Sequence, residues 1–195
     1  MNKEGTYGVM PELRPARVHE ISGLGALAFA FLMTRSGQMT ACGHPRLLGA
    51  FHPEAVARFT DPDAILLIPC PLEAEILWAA ETALRSGSMT SVIVCTEKSP
   101  GLTSFRRLQL AAQAGRSLGL LIVTRPAHST AAETRWHCSP APSDHWEEFR
   151  IRASLYKNKR GMVGSWILNV SGEKDSLHLD TAPAGEPVWP DRIAG

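Results

Sequence analysis

The chain has 195 residues, of which 44% are hydrophobic and 20% charged. This length and composition predict one globular domain with a sizeable core. The formal net charge of +1 is unevenly distributed, because residues 171–195 carry −3 and residues 1–170 carry +4. A moderately basic body permits contact with nucleic acid but does not require it, which excludes an argument for DNA binding from charge alone.

Four cysteines, Cys42, Cys70, Cys95 and Cys138, are widely spaced and include no C-x-x-C pair. This spacing argues against a disulfide framework and favours reduced thiols in the cytoplasm. The apolar stretch 25–33 is too short to span a bilayer. We therefore expect a buried helix there and no membrane contact.

The amino-terminal part predicts a flexible arm followed by the start of an α/β domain. Residues 1–15 are polar and show no periodicity, so we expect an arm before a domain of residues 16–170. A short apolar strand ends in Val18-His19-Glu20-Ile21, and an apolar helix begins near Ala26. Residues 39–42 predict a strand and residues 53–59 a short helix.

The middle of the chain alternates apolar runs with amphipathic helices. Residues 64–68 (AILLI) predict a strand that is buried on both faces. Pro71 starts a helix that turns Leu72, Ile76, Ala80, Ala83 and Leu84 inward and stops at Gly87. A strand at 91–95, a helix capped by Thr103 and ending at Gly119, and a strand at 120–123 follow. This order predicts parallel strands joined by right-handed crossovers.

The last third of the domain predicts a long β-hairpin and then a tail. Apolar and polar residues alternate along 149–156 and 165–170, on either side of the basic turn 157–161. Residues 171–195 are dominated by Gly, Pro, Asp and Glu. We expect this acidic tail to be mostly disordered.

A short glycine turn stands where a nucleotide-binding fold carries its phosphate loop. Gly23, Leu24 and Gly25 lie between the first strand and the first helix, but no lysine follows them. A working loop needs that lysine to neutralise phosphate and a hydroxyl to hold magnesium. The strand 91–95 also ends in Cys95-Thr96, where a magnesium-organising aspartate is needed. We therefore predict a structural turn, no catalytic residues, no cofactor and no metal site.

Two basic groups and one tryptophan are the candidate contact residues. Arg106, Arg107 and Arg116 lie near the polar side of one predicted helix, and Lys157, Lys159 and Arg160 lie in one turn. Either group can neutralise phosphates in weak, sequence-independent binding of single-stranded DNA, or contact a protein partner. A solvated basic face is the alternative interpretation. Trp189 in the tail is a candidate for docking into a partner's groove or back onto the domain.

Several blocks of residues together resemble the core of RecA-type recombinases without their ATPase residues, and in particular the ImuA family of bacterial SOS mutagenesis proteins. The blocks are residues 16–23 (ARVHEISG), 74–87 (AEILWAAETALRSG), 104–114 (SFRRLQLAAQA), 119–126 (GLLIVTRP), 132–136 (AETRW) and 150–170.

This resemblance implies a degenerate RecA-like α/β core, with a mainly parallel sheet flanked by helices and a carboxy-terminal hairpin. It also implies a non-catalytic accessory role in SOS-induced, error-prone translesion synthesis, in response to DNA damage. The implied partners are ImuB, which is an inactive Y-family polymerase homologue, an error-prone replicative-type polymerase, and RecA. The glutamine that couples nucleotide to DNA in active recombinases has no counterpart around Thr124-Arg125.

Two alternatives stay open on the sequence. SulA-like division inhibitors, which bind FtsZ, share the degenerate core and a helix ending in L-R-[ST]-G, although the hairpin 150–170 extends past their usual end. A weak RecA-like ATPase is the third hypothesis.

Overall fold

The computed structural model describes residues 9–34, 37–143, 148–172 and 178–187. In the first half, strands and helices alternate: β1 (Val18–Ser22), α1 (Ala26–Met33), β2 (Met39–Gly43), α2 (Pro45–Leu48), α3 (Pro53–Val56), β3 (Ile65–Pro69), α4 (Glu73–Ser86), β4 (Ser91–Lys98), α5 (Leu102–Gly115) and β5 (Leu118–Arg125). Four strands complete the described chain: β6 (Thr134–Ala141), β7 (Phe149–Asn158), β8 (Gly164–Ser171) and β9 (His178–Gly185).

The described strands form one nine-stranded sheet in the order β3-β2-β4-β5-β1-β6-β7-β8-β9. The six strands from β3 to β6 in this order pair in parallel, and β7, β8 and β9 add to them in antiparallel fashion. The expected α/β class, with a mostly parallel central sheet, is confirmed. The hairpin is also present, as β7 and β8.

Helices cover both faces of the sheet. Successive residues of the central strands point to opposite faces, so each strand contributes to the core on both sides. Ile93 packs in a cluster with α1, whereas Val92 and Val94 pack in a second cluster with α4 and α5. The first cluster continues under the antiparallel strands, where the Trp136 ring contacts the tilted rings of Phe29 and Trp166 at centroid distances of 5.1 and 6.0 Å. No described helix has both the length and the apolarity needed to cross a membrane.

The expectation that residues 64–68 form a strand buried on both faces is wrong. Strand β3 occupies one edge of the described sheet and pairs only with β2. Its Leu66 and Leu67 side chains are 55% and 44% exposed. A continuous apolar run indicates a strand but does not say whether a neighbour covers it.

Two helix predictions also need correction at their ends. Leu72 does not face inward but sits at the N-cap of α4, 60% exposed. Helix α5 begins after Gly101, without a side-chain cap from Thr103, and ends at Gly115, so Gly119 belongs to β5. Arg116 adopts a left-handed conformation (φ 56°) that stops the helix earlier than the expected glycine.

The described parts of the predicted arm and of the predicted tail contain more structure than expected. Met10 and Leu13 pack against the core, so this part of the predicted flexible arm lies on the domain. Residues 178–185, predicted to be disordered, pair with β8 as β9. Beyond its pairing with β7, β8 has a second edge whose backbone groups can pair with another strand. The composition of residues 178–185 does not indicate that pairing. The division into an arm, a domain and a tail otherwise stays a prediction.

Candidate functional site

The glycine turn (Gly23-Leu24-Gly25) connects β1 to α1 at the position expected of a phosphate loop. Gly23 has φ +91°, and a Cβ atom placed on it would collide with the carbonyl oxygen of Cys138 in β6. The Gly25 N–H donates to that same carbonyl oxygen at 2.9 Å. The turn therefore packs directly against the backbone of β6.

This packing removes features that a phosphate loop needs. Such a loop points free backbone N–H groups at the ligand, whereas the Gly25 N–H is bound to protein. The hydroxyl before the turn is also occupied: the buried Ser22 Oγ donates to the Trp136 carbonyl and lies 3.2 Å from Nδ1 of His137. Thr96, two residues before the end of β4, donates to the Lys98 carbonyl. The arrangement fits a structural connection between β1, α1 and β6.

Buried polar side chains line up between β1 and β6, which pair with Glu20 opposite Arg135. Glu20 accepts a hydrogen bond from Arg135 at 2.7 Å, and both side chains are almost fully buried. One residue earlier on each strand, His19 Nδ1 lies 2.6 Å from Thr134 Oγ1. Burial lowers the pKa of His19.

The Glu20–Arg135 pair joins the sheet to the loop that precedes β6. Arg135 also donates to the carbonyls of Ala127 and His128 and lies 5.0 Å from the centroid of the Tyr156 ring. Burial raises the pKa of Glu20, and the Arg135 charge opposes that shift. Burial raises the pKa of Tyr156 to about 12. Together these contacts hold the loop and β6 in one arrangement.

The helical basic group divides into side chains in different surroundings. Arg107 pairs with Glu81 of α4 at 2.6 Å. Arg106 is exposed and, within the described part of the chain, has no ion-pair partner. Arg116 is exposed at the end of α5. Arg107 is thus partly neutralised, and Arg106 is the more available cation.

The basic turn after β7 is anchored to the segment just before β6. Lys159 Nζ donates to the Ala131 carbonyl at 2.9 Å. Lys157, which was expected in the turn, belongs to the end of β7, and its Nζ lies 3.4 Å from the Thr130 carbonyl. Arg160 lies with its Nε 3.8 Å from Glu133 Oε1. These three predicted contact residues therefore border one structured surface.

Glu133 stands at the centre of this surface, with a side chain only 7% exposed. Arg14 contacts its carboxylate at 2.8 Å. The charged groups of Arg17, Lys159 and Arg160 lie within 3.8 to 4.0 Å of it. One carboxylate thus faces four cations, and the surface keeps a positive excess.

A cavity of about 580 Å³ opens between α5 and this surface, and we call it the α5 cavity. It brings together Arg106 from one predicted basic group and Lys159 from the other, with Arg17 beside them. Gln109 forms part of its wall and ties α5 to β1 through hydrogen bonds with both the N–H and the carbonyl of Val18. The remaining lining residues are Leu102, Leu110, Gln113, Thr130, Ala131 and Glu133.

The other candidates give no further site. Trp189 lies outside the described residues. The four cysteines are buried free thiols, and burial raises the pKa of each, to about 12 at Cys95. Within the described ranges, no group of three or more His, Cys, Asp or Glu side chains is placed to hold a metal ion.

The fold and the turn define an α/β protein whose phosphate-loop position is closed by β6, and comparison with known proteins narrows this class. No protein-family model matches the chain. Proteins named Protein ImuA from two strains of Caulobacter vibrioides, NA1000/CB15N and ATCC 19089/CIP 103742/CB 15, are 31% identical to it. The matched region covers 49% of this chain and 46% of each relative, so the chain spans about half the length of these curated relatives. The resemblance to ImuA proteins is thereby confirmed as a similarity over about half of the chain.

A solved structure, the crystal structure of SulA from Pseudomonas aeruginosa, is also similar. It is 24% identical, with a TM-score of 0.44, and the match covers 55% of this chain and 96% of that one. A likeness at this TM-score supports no conclusion about function.

Sequence reasoning missed Arg14, Arg17 and Glu133, which border the α5 cavity or its basic rim. Glu133 lies 119 positions from Arg14 in the chain, so no local pattern connects them. The block AETRW, which contributes to the ImuA resemblance, does contain Glu133 and Arg135. Two opposite charges only two residues apart, Glu133 and Arg135, were the signal that could have drawn attention to that block.

Proposed function

We propose that this chain is a non-catalytic accessory protein of SOS-induced, error-prone translesion DNA synthesis in the cytoplasm. Support comes from the similarity to Protein ImuA over about half of the chain. The mainly parallel sheet with a glycine turn after β1 is consistent with a degenerate RecA-like core. In this role the chain is an adaptor between ImuB and an error-prone replicative-type polymerase, and RecA is a further partner.

One observation carries the non-catalytic part of the proposal. The Gly25 N–H donates to the Cys138 carbonyl, and the same carbonyl occupies the space beside Gly23. A phosphate cannot take that position unless β6 moves. Within this proposal, the glycine turn holds α1 against β6 and performs no nucleotide chemistry.

Weak, sequence-independent binding of single-stranded DNA is the secondary expectation. Lys157, Lys159 and Arg160 are the residues that would contact phosphates. Replacing Lys157, Lys159 and Arg160 together by Ala should weaken binding equally for all sequences and flatten its salt dependence. An unchanged affinity would remove the turn from the DNA-binding surface.

Deletion of the gene tests the cellular role. We expect damage-induced mutagenesis to be abolished while division arrest after damage stays intact, and a plasmid copy of the intact gene should restore mutagenesis. The opposite phenotype, normal mutagenesis with loss of division arrest, would replace the proposal with the SulA-like alternative.

A further inference from the structure

Helix α5 presents an unusual outer face to the α5 cavity. Leu102, Arg106 and Leu110 are four residues apart, so they share one face of the helix. All three line the cavity, and the two leucines are 53% and 64% exposed. Two large aliphatic side chains flank Arg106, which has no ion-pair partner among the described residues, and they leave apolar surface in water beside a positive charge.

The opposite wall of the cavity adds positive charge. Arg17 and Lys159 line it together with Glu133, whose carboxylate is already in contact with Arg14. Because Arg160 also lies close to that carboxylate, Glu133 cannot neutralise the whole wall. An occupant of this cavity must therefore supply negative charge to be complementary.

The lining is held in place before any partner arrives. Gln109 donates to the carbonyls of Val18 and Ala131, and Lys159 donates to that same Ala131 carbonyl. A lining that is already ordered loses little conformational entropy on binding. This favours a specific docking site over a diffuse basic face.

We propose that the α5 cavity binds an acidic segment of a partner protein, with carboxylates opposite Arg17, Arg106 and Lys159 and a large apolar side chain against Leu102 and Leu110. A volume of about 580 Å³ accommodates such an anchor. The inference deepens the proposed adaptor role and rests on it, since an adaptor needs a defined docking surface.

Single-stranded nucleic acid fits the same cavity less well. Bases bind to sequence-tolerant surfaces by stacking on aromatic rings. Among the described residues, none that lines the cavity is aromatic. Exposed leucines beside cations match an acidic peptide with an apolar anchor better than they match a nucleotide chain.

Selection of random peptides displayed on phage against the intact chain tests the proposal. We expect the selected sequences to be enriched in Asp and Glu around a large apolar residue. Fluorescence anisotropy of a labelled consensus peptide should show affinity about tenfold lower or worse for Leu110→Ser and for Arg106→Glu, because each variant removes one kind of contact. Circular dichroism checks that both variants are folded.

Two matched variants control for general changes at the surface. Leu66→Ser changes a leucine on β3 that is 55% exposed, against 64% for Leu110. Arg46→Glu changes an exposed arginine on α2, and neither residue lines the cavity. Both variants should bind the consensus peptide like the wild type. Equal losses in these controls, or selected peptides without acidic enrichment, would overturn the proposal.

Two other occupants would also overturn it. Binding of labelled oligo-dT that Arg106→Glu abolishes, with no acidic peptide selected, would assign the cavity to nucleic acid. Peptides recovered only from a chain that lacks residues 188–195 would assign the cavity to the chain's own tail. The adaptor role and the docking site are tested by different experiments. Normal mutagenesis in the deletion strain would contradict the adaptor role, whereas the docking site is judged by the peptide affinities alone.

Discussion

Gly23 shows at the level of one residue why the first strand and the first helix meet as they do. Its φ of +91° lies in the region that side-chain-bearing residues avoid, and the carbonyl of Cys138 fills the space where a Cβ would stand. A glycine between the first strand and the first helix is sufficient to predict a tight turn from the sequence. The contact with β6 could not be predicted, since Cys138 lies far along the chain in a strand that the sequence did not predict.

We therefore expect Gly23→Ala to lower the free energy of unfolding by about 2 kcal/mol or more, through backbone strain and the collision with β6. Urea unfolding measures the loss. Gly161→Ala is the matched control, because nothing lies within 4 Å of a Cβ at that turn position. Equal stability of the two variants would contradict the close approach of Gly23 to β6.

The buried Glu20–Arg135 pair is the second feature at this scale. Arg135→Met leaves a carboxylate buried without its cation, and we expect a loss of about 3–5 kcal/mol at neutral pH. The double variant Glu20→Gln with Arg135→Met should be more stable than Arg135→Met alone, because it contains no uncompensated charge. A double variant that is no more stable would show that the pair is not the cause of the loss.

The same pair predicts a dependence on pH. Burial already raises the pKa of Glu20 above its ordinary value of 4.5, and removal of Arg135 raises it further. A carboxyl whose pKa is raised in the folded state contributes most stability while protonated, and this contribution is lost as the pH rises through the folded pKa. The deficit of Arg135→Met should therefore be smaller at about pH 5 than at about pH 7, as measured by urea unfolding. An equal deficit at both pH values would contradict the burial of Glu20.

At the scale of elements, local sequence patterns predicted an element correctly where its own periodicity decides which residues are buried. Helix α4 has an apolar face and ends at Gly87 in a left-handed conformation, so its periodicity and its stop signal agree. Strand β6 could not be predicted, because Thr134, Arg135 and His137 give it a polar sequence. Arg135 is buried only because Glu20, 115 positions away, lies opposite it.

Strand β3 is the opposite case, because its apolar sequence predicted burial on both faces and the strand is partly exposed. Because Leu66 lies on an edge strand and is 55% exposed, Leu66→Ala should cost less than about 1 kcal/mol. Leu120→Ala, at a fully buried position of β5, should cost about 2–5 kcal/mol. Thermal unfolding of the two matched variants compares them. Similar losses would mean that β3 is covered by another part of the protein.

At the scale of the whole molecule, the sheet brings together what the sequence separates. The start of β1, the segment before β6, the turn after β7 and helix α5 meet around the α5 cavity. The two basic groups were visible in the sequence as charges. Their junction across a cavity depends on the strand order, which places β1 between β5 and β6. The sequence alone does not indicate a role for Leu102 and Leu110, because their position beside the cavity depends on the fold.

In the proposed role this α/β core works without a nucleotide, because β6 closes the glycine turn. Isothermal titration of the intact chain with ATP and Mg²⁺ tests it most directly, since a trace of contaminating ATPase cannot produce stoichiometric binding heat. We predict no saturable binding. Saturable, magnesium-dependent binding of one ATP per chain would contradict the claim and favour a weak RecA-like ATPase.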